Sequence, residues 1–593
     1  MHHMIPIVVA RCSATLHVPD GAFSRVVVFV NSFGYEGAYT TRAWVTLGED
    51  IADAGIAFLR YDLPDQGDSI DLQVGEDAAS AWINSILEVV DWTRKTFPGV
   101  DVVLSGYRLG ALMVAVAAKR SENIAGLLLF SPVLSGRNFI REVRLQAEKE
   151  EISPNSPGLS QEGWWISAAS LATVSAWNLR DWGGAMQPPP MLVLGDSGIR
   201  SLEAWVQEFP STGGAPQHMV FEENGLLTLR AEAHLIGIPA LAYGKAVSWL
   251  LNSLDIKHAT AHLGNKVREN LNKDNTFVLA LSNCVERPIR FGPDATLAAT
   301  WCVPDGQKAC APALLILNTG GNPRSGHSRL SVKLARSMAE FGFASLRIDV
   351  SETGEAYPVL RSQGSNLYCE SVQANIQAAI VEMNQSGYPE PIIFGLCSGA
   401  YHALQAGLVR PNIGGLVMAN VHSFLLETSP RPAQTSQISN ATKIIIKPVN
   451  WYYRQLYKSE FWKRLFSKKI RVRALSSILF KTLYLHLLGY AQRVLPGQFI
   501  IAPRFAEIQR RFYDLSKNNI PVLLIYGEDD PGINELHTVF GAGGKFLKKY
   551  QSISLHYLKN VDHTFAAKGA ADELIELLKG FLERRKLALN NEN

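Results

Sequence analysis

Short runs of apolar, β-branched residues alternate with longer helix-like stretches along this chain of 593 residues. That alternation is typical of βα units built around a parallel sheet. One series of predicted strands comprises residues 25–33, 57–63, 100–108, 126–132 and 190–196. A second series in similar order comprises residues 313–321, 344–350, 391–397, 415–421, 521–530 and 553–558. The repetition indicates an internal duplication at the scale of a whole domain.

The second strand of each series supports the duplication. GIAFLRYDLPDQGDS (residues 55–69) and GFASLRIDVSETGEA (residues 342–356) both read as strand, Asp, polar loop, Gly and acidic residue. A polar, lysine-rich stretch at about 255–275 separates the two series. We therefore predict a first half, residues 1–262, and a second half, residues 270–593, each large enough to bury its own core.

Composition narrows the class of protein. The formal net charge is +3 and 47% of the residues are hydrophobic, so overall charge gives no preference for nucleic acid. The six cysteines include no C-x-x-C pair, which predicts neither a disulfide framework nor a zinc site. The pattern of a signal peptide and an apolar run long enough to span a bilayer are both missing. We expect a cytoplasmic protein without a metal, a cofactor or a nucleic-acid partner.

Candidate chemistry begins at IIFGLCSGAYHAL, residues 392–404, where an apolar strand runs through a glycine-rich turn into a helix. A nucleophile between such glycines is the elbow of the α/β-hydrolase architecture. Cys397 stands at that position, and a helix N-terminus there favours its thiolate. The alternative is a small buried cysteine at a tight bend.

The partners of a nucleophile follow in the order that this fold requires, acid and then His. The strand at 521–530 ends in Asp529 and Asp530, and His563 follows the last predicted strand. We predict His563 as the general base for Cys397 and Asp530 as the carboxylate that orients it, with Asp529 as the second choice.

An oxyanion hole is expected from backbone N–H groups. The predicted donors are Ser398, directly after the nucleophile, and Gly321 or Asn322 in the loop NTGGNPRSGHS after the first core strand of the second half. His327 in that loop either orders the loop or binds substrate.

The equivalent turn of the first half carries an arginine. Its sequence SGYRLG places Arg108 where the nucleophile would stand, and a guanidinium cannot be deprotonated in a protein. After Asp196, the region expected to hold the catalytic His offers His234 without a recognisable motif. We predict a non-catalytic first half that packs on or caps the active half. Arg108 is either an anion contact or a structural staple.

A lid is predicted between residues 425 and 515 of the second half. Between residues 443 and 493 its basic residues are Lys443, Lys447, Arg454, Lys458, Lys463, Arg464, Lys468, Lys469, Arg471, Arg473, Lys481 and Arg493. Aromatic residues are interleaved with them, so the segment is predicted to be amphipathic. It would contact an anionic membrane surface or receive an anionic donor such as a carrier or a lipid-linked sugar. The alternative is a set of lid helices with a solvated basic face.

Several of these stretches resemble a particular family. TGGNPRSGHSRLSVKLARSMAEFGFASLRIDVSETGE, FGLCSGAYHAL and NWYYRQLYKSEFWKRLFS resemble the first type of exosortase A system-associated hydrolase. VNSFGYEGAYTTRAW, RYDLPDQGDS and SGYRLGALMVAVAA resemble the second type, which also has an R-L-G elbow. The resemblance implies two fused α/β-hydrolase domains, a Cys397, Asp530 and His563 triad, and a role in bacterial exopolysaccharide production or its acyl decoration.

The residues together predict two tandem α/β-hydrolase domains, each a mostly parallel sheet flanked by helices, with a helical lid in the second. The leading functional hypothesis is an acyl hydrolase or acyltransferase that forms a thioester on Cys397. Its substrate would be an acyl ester or thioester, either free or bound to a carrier. The alternative is a non-catalytic scaffold whose basic lid docks a membrane or a carrier.

Overall fold

A computed structural model shows two compact units. The first unit comprises Met1–Ala309 and Gly320–Ala379, and the second comprises Cys310–Thr319 and Ile380–Asn593. The residues that the structure describes are 2–73, 75–146, 158–182, 188–196, 200–207, 216–228, 233–254, 261–271, 277–306, 310–357, 367–409, 412–426, 503–567 and 569–592. The basic segment at 443–493 and most of the predicted lid lie outside the described residues.

The secondary-structure elements are numbered along the chain. The strands are β1 (His2–Val9), β2 (Cys12–Pro19), β3 (Ala22–Phe23), β4 (Arg25–Val30), β5 (Ala57–Tyr61), β6 (Asp101–Tyr107), β7 (Ile124–Phe130), β8 (Gly158–Gln161), β9 (Trp164–Ser167), β10 (Met191–Gly195), β11 (Gln217–Val220), β12 (His262–Leu263), β13 (Leu279–Ala280), β14 (Cys284–Phe291), β15 (Leu297–Pro304), β16 (Cys310–Ile316), β17 (Phe343–Asp349), β18 (Ile392–Leu396), β19 (Gly415–Ala419), β20 (Val522–Gly527) and β21 (Ile553–Leu558). The α-helices are α1 (Tyr35–Asp53), α2 (Ala78–Thr96), α3 (Leu109–Ala118), α4 (Gly136–Gln146), α5 (Ala168–Ser175), α6 (Arg200–Gln207), α7 (Gly225–Thr228), α8 (Ala240–Asn252), α9 (Gly264–Leu271), α10 (Leu330–Glu340), α11 (Ser371–Gln385), α12 (Ser398–Val409), α13 (Pro503–Lys517), α14 (Ile533–Phe540) and α15 (Ala570–Glu592).

An eight-stranded sheet forms the centre of the first unit, in the order β1-β2-β5-β4-β6-β7-β10-β11. The pairs β1/β2 and β2/β5 are antiparallel, and the other neighbours are parallel. Strands such as β4, with the sequence RVVVFV, are buried at every position. They carry apolar side chains on both faces because one hydrophobic core, with α2 and α3, covers one face and a second, with α1 and α8, covers the other.

The strands of the second half repeat this arrangement within each unit. In the first unit β14, β15 and β17 pair antiparallel, as β1, β2 and β5 do. In the second unit β16, β18, β19, β20 and β21 pair parallel, as β4, β6, β7, β10 and β11 do. The predicted fold class, two tandem α/β-hydrolase folds, is confirmed. The predicted domain limits, 1–262 and 270–593, stay a prediction.

The sequence patterns did not predict the antiparallel hairpin of β1 and β2. Val9 lies opposite Cys12, so Ala10 and Arg11 alone make the turn. Both turn residues have positive φ, 51° and 58°, the backbone of a turn in which Asn-Gly is the usual signal. Because neither residue is Asn, Asp or Gly, the turn has no composition signal.

The two duplicated Arg-Asp motifs exchange ion pairs reciprocally inside the first unit. Arg60 of the first half contacts Glu355 of the second half, with 2.8 Å between Nη2 and Oε1. Arg347 of the second half contacts Asp68 of the first half, with 3.2 Å between Nη2 and Oδ1. In the aligned motifs Arg60 corresponds to Arg347 and Asp68 to Glu355, so the two contacts are equivalent.

Neighbouring strands repeat the same reciprocity. Thr15 lies opposite Arg60 in the sheet and donates its hydroxyl to the Glu355 carboxylate at 3.0 Å. Thr300 lies opposite Arg347 and donates its hydroxyl to Asp68 at 3.0 Å. Both carboxylates therefore receive one arginine and one threonine from equivalent places.

Asp68 is paired with three side chains of the second half. The Arg324 guanidinium lies 2.8 Å from its Oδ2, in addition to the contacts of Arg347 and Thr300. Burial by itself would raise the pKa of Asp68, but Arg347 and Arg324 hold that pKa below its usual value. The carboxylate is therefore ionised and stabilises the fold at neutral pH.

The substitution Asp68→Asn tests this cluster. It removes the charge that compensates two buried guanidinium groups, so we expect the free energy of unfolding to fall by about 3–5 kcal/mol. Because the folded pKa is depressed, this loss should be complete above about pH 4 and should shrink as the pH falls further. Urea denaturation at pH 7 and pH 3.5 measures both effects. Asp91→Asn, at a side chain that is 80% exposed, is the matched control and should leave the midpoint unchanged.

Candidate active site

The predicted elbow forms in the second unit. Cys397 stands between the last residue of β18 and the first residue of α12 and has φ of +55°. Its N–H donates to the Ala419 carbonyl at 3.0 Å, and its carbonyl accepts from the Tyr401 N–H at 3.2 Å. Positive φ is costly for a residue with a side chain, so the turn is held by its surroundings. It leaves the Cys397 thiol half-buried.

Two glycines allow the strand and the helix to approach each other at this turn. A Cβ atom on Gly395 would lie 2.2 Å from the carbonyl carbon of Gly399. A Cβ atom on Gly399 would lie 2.5 Å from the Asn318 carbonyl oxygen. Neither approach is open to a larger residue because the neighbouring atoms belong to the backbone. The two glycines are therefore required for the backbone of the elbow to form, independently of the side chain at its centre.

Asp530 and His563 meet at the ends of β20 and β21. His563 Nδ1 lies 2.5 Å from Asp530 Oδ2. The other oxygen, Oδ1, accepts from the Gly532 N–H at 2.8 Å. The Asp530 side chain is fully buried, whereas Asp529 is exposed on the same turn. Of the two acids that the sequence offered, Asp530 is the one in contact with His563.

The protonation of His563 follows from its neighbours. Burial by itself would lower its pKa, but hydrogen bonding to Asp530 and to the Cys397 thiol raises the pKa to about 10. The imidazole is therefore an imidazolium at neutral pH. The imidazolium beside Cys397 is the partner that a thiolate and imidazolium pair requires.

Asn420 is a residue of this site that the sequence analysis missed. It directly follows β19, is fully buried and has φ of +46°. Its side-chain amide donates to the His563 carbonyl at 2.9 Å, and its side-chain carbonyl accepts from the Gly527 N–H at 2.9 Å. Asn420 thereby joins the end of β20 to the loop that carries His563. An Asn that immediately follows a buried strand was the available signal.

The His563 loop is also fixed by Asp562. Its carboxylate accepts from the backbone N–H of Thr564 at 3.1 Å and of Ala567 at 2.8 Å. Burial would raise the pKa of Asp562, but the hydrogen bonds from Thr564 and Ala567 keep that pKa below its usual value. A charged side chain thus closes the turn around His563.

The predicted oxyanion donors lie in different units. Ser398 is the first residue of α12 and is buried. Gly321, with φ of +81°, and the buried Asn322 belong to the first unit. Their shared role at an oxyanion hole stays a prediction. His327, also in the first unit, is buried, and its Nδ1 lies 3.2 Å from the Tyr39 hydroxyl.

Arg108 occupies an elbow of the same geometry in the first half. Its φ is +52° and its N–H donates to the Phe130 carbonyl at 3.0 Å. Its guanidinium forms ion pairs with Glu142 and with Glu36, the latter at 3.5 Å. Burial would lower the pKa of Arg108, but these two carboxylates raise it. Two carboxylate partners favour the structural staple over the anion contact.

The other two triad positions of the first half also differ. Asp196, directly after β10, accepts a hydrogen bond of 2.9 Å from the side-chain amide of Asn224. Asn224 follows β11 as His563 follows β21. His234, the residue noted in the sequence, lies in a short 3₁₀ turn at Ala233–Leu235. An amide cannot accept a proton at neutral pH, so Asn224 cannot take the role of general base that is predicted for His563.

The described residues contain no helix that combines the length and the apolar character required to span a membrane. Within the same residues, no group of three or more His, Cys, Asp and Glu side chains is placed to hold a metal ion.

Strand order, elbow and the contact of His563 with Asp530 define the class: a protein of the α/β-hydrolase fold. The family model of serine aminopeptidase, S33, matches residues 26–156. That span contains Arg108 rather than Cys397, so the match concerns the first half. A comparison with curated proteins found no match.

Solved structures similar to this chain have low identity to it. Est1E from Butyrivibrio proteoclasticus is 17% identical, with 42% of this chain and 97% of that chain covered and a TM-score of 0.30. TT1662 from Thermus thermophilus is 17% identical, with 44% and 100% covered and a TM-score of 0.30. The dienelactone hydrolase from Anabaena variabilis is 14% identical, with 51% and 98% covered and a TM-score of 0.30. The fold class here therefore rests on the strand order itself.

The pH dependence of Cys397 alkylation tests the ion pair. At pH 6.5 we expect iodoacetamide to alkylate Cys397 about 10- to 100-fold faster in the natural chain than in His563→Gln, because the variant has no imidazolium beside the thiol. The raised pKa of His563 means that the imidazolium persists below about pH 10 and is lost above it, so the two rates should converge at high pH. Peptide mass spectrometry measures them, with the half-exposed Cys369 as internal reference. Equal rates at pH 6.5 would contradict the ion pair.

Asn420→Ala tests the support of His563. It leaves the buried Gly527 N–H without its acceptor, so we expect the free energy of unfolding to fall by about 1–3 kcal/mol. The alkylation rate of Cys397 at pH 6.5 should fall toward that of His563→Gln, because the His563 loop loses its donor. Asn518→Ala, at an exposed residue after α13, should change neither quantity. An unchanged rate of Cys397 alkylation in Asn420→Ala would show that Asn420 does not support His563.

Proposed function

We propose that the chain is an acyl hydrolase or acyltransferase with a Cys397, His563 and Asp530 triad. The observation that carries the proposal is the 2.5 Å contact between His563 and the buried Asp530, in the unit in which Cys397 occupies a strained elbow. A strained turn that presents a thiol beside an imidazolium is the arrangement of an activated cysteine nucleophile.

The reaction has two steps. In the first, the Cys397 thiolate attacks the acyl carbon, and the bond to the leaving group breaks as His563 gives that group a proton. The product is a thioester on Cys397. In the second, His563 takes a proton from water or another acceptor, which attacks the thioester and releases the thiolate. Asp530 holds the tautomer of His563 and stabilises its charge, and the Ser398 N–H is a candidate donor to the tetrahedral oxyanion.

The choice between water and another acceptor distinguishes a hydrolase from a transferase. A thioester reacts more readily than an oxygen ester with amines and carbon nucleophiles, which favours transfer wherever water is excluded. The substrate of the proposal is an acyl ester or thioester, and the basic residues between 443 and 493 would suit an anionic carrier or a membrane surface. The resemblance to exosortase A system-associated hydrolases supports a role in exopolysaccharide biosynthesis. The six cysteines, without a C-x-x-C pair, favour a reducing compartment such as the cytoplasm.

Intact-mass measurement tests the proposal. The protein is incubated with a panel of acyl thioesters and activated esters beside Cys397→Ala. We expect an acyl adduct on the natural chain alone, because the substitution removes the attacking sulfur. Decay of that adduct in buffer alone indicates a hydrolase, and faster decay with added amines or alcohols indicates a transferase. If no adduct forms and Cys397 also fails to alkylate at neutral pH, the enzyme hypothesis is refuted and the non-catalytic scaffold is the remaining hypothesis.

A further inference from the structure

A cavity of about 640 Å³ lies in the first unit, beside two strands that stand at sheet edges. β1 is the outermost strand of the eight-stranded sheet, and β13 pairs with β14 at Val285 and Glu286, before the part of β14 that lines the cavity. Residues 4–6 of β1 and residues 287–290 of β14 contribute to the lining. The volume is within the range of sites that bind small organic molecules.

Each of the two strands carries a proline in the cavity lining. Pro6 lies opposite Thr15 and Pro288 lies opposite Thr300, so the two prolines occupy equivalent places in the two halves. Proline is found at sheet edges because it has no N–H to donate to a further strand. The prolines therefore disfavour backbone pairing of β1 with β14, which would otherwise fill the space between them.

Arg290 is a cation of this cavity, and its hydrogen-bond acceptors among the described residues are neutral. Its Nη1 donates to the Glu355 carbonyl at 2.8 Å and to the Thr296 carbonyl at 3.3 Å. Its Nη2 donates to the Met4 sulfur at 3.2 Å, and a thioether is a weak acceptor. One end of the guanidinium group is therefore only weakly satisfied within the described part of the chain.

The charge of Arg290 is also only partly compensated. Burial lowers the pKa of Arg290 to about 10, although the Glu355 carboxylate acts in the opposite direction. That carboxylate already forms ion pairs with Arg60 and Arg324. An anion in the cavity would therefore stabilise the charged form of Arg290.

The charged side chains of the lining favour an anion. Arg287 is exposed and brings a second guanidinium group to the same cavity as Arg290. His3 Nε2 lies 3.3 Å from Asp20 Oδ1, so a charge on His3 is already matched. Asp294, also exposed, opposes an anion. Two guanidinium groups against one carboxylate leave the cavity with a preference for anions.

Apolar side chains complete the lining. Ile5 of β1, Ile289 of β14 and the Phe277 ring all contribute to it. Such side chains bury the hydrocarbon part of a ligand, while the arginines bind its charged group. The lining therefore suits a molecule that combines an anionic group with an apolar body.

We propose that this cavity binds a small organic anion, with its carboxylate or phosphate group on Arg287 and Arg290 and its apolar body against Phe277, Ile5 and Ile289. The lining residues all belong to the first unit, so the proposal is independent of the proposed chemistry of Cys397. It assigns to the first unit a ligand site that does not involve the elbow of the first half.

Isothermal titration calorimetry of the full chain with octanoate tests the site. Octan-1-ol has a similar alkyl chain without the charge, and acetate has the charge without the long alkyl chain. We expect octanoate to bind at least about 10-fold more tightly than either, because it alone uses both the guanidinium groups and the apolar side chains.

Two exposed residues of the lining give variants with opposite expected effects. Arg287→Gln removes a cation and should weaken octanoate binding by about 5- to 10-fold. Asp294→Asn removes the opposing charge and should tighten binding by about two- to fivefold, and Asn tolerates the φ of +52° at that position. Arg120→Gln, at an exposed residue outside the lining, is the matched control and should leave binding unchanged. Arg290→Gln should weaken binding further, in protein that circular dichroism shows to be folded.

The outcomes separate the parts of the proposal. Tighter binding of octanoate, with opposite responses of Arg287→Gln and Asp294→Asn, supports the site. Equal binding of octanoate and octan-1-ol would overturn its anionic character, and equal binding of octanoate and acetate would overturn its apolar character. No binding at about millimolar octanoate, or binding that none of the lining variants changes, would overturn the site itself. The acyl-adduct measurement on Cys397 tests the proposed function separately.

Discussion

The structure of the first unit depends on one constraint: buried charges must remain fully paired. Asp68 of the first half lies among Arg324, Arg347 and Thr300 of the second half, and Arg347 also binds Glu286 at 2.7 Å. An unpaired guanidinium in such a place costs several kcal/mol, so the strand β17 and the loop at residues 320–329 keep their positions as long as the carboxylates keep theirs. Asp349 accepts from the backbone N–H of Arg324 at 2.7 Å and connects this cluster to the loop at residues 320–329.

A comparison of the two elbows distinguishes the features that the fold requires from the side chains that catalysis requires. Cys397 and Arg108 share a positive φ and the same hydrogen bond to the neighbouring strand, and glycines stand two positions away on either side of each. The elbow forms with either a thiol or a guanidinium side chain at its central position. What makes one site a candidate for catalysis is the His563 and Asp530 pair, which the first half replaces with Asn224 and Asp196.

The parallel strands and the elbow could be predicted because apolar runs and glycine spacing are local features of the sequence. Asp530 and His563 could be placed by chain order alone, although only their contact distinguished Asp530 from Asp529. The hairpin at Ala10 and Arg11 was missed since its turn residues lack the usual composition. Asn420 and the reciprocal contacts of Arg60 and Arg347 were missed because they depend on partners distant in sequence, which no local pattern reveals.

The reciprocal pairing of Arg60 with Glu355 and of Arg347 with Asp68 has the form of an isologous contact, in which each partner offers the other the same patch. In a homodimer, every substitution would appear in both subunits, so a substitution of the nucleophile would inactivate both sites. Fusion into one chain breaks that symmetry and makes association intramolecular. One copy is then free to exchange its catalytic side chains for ion pairs while it keeps the shared contacts, and the proposed chemistry needs only the other copy.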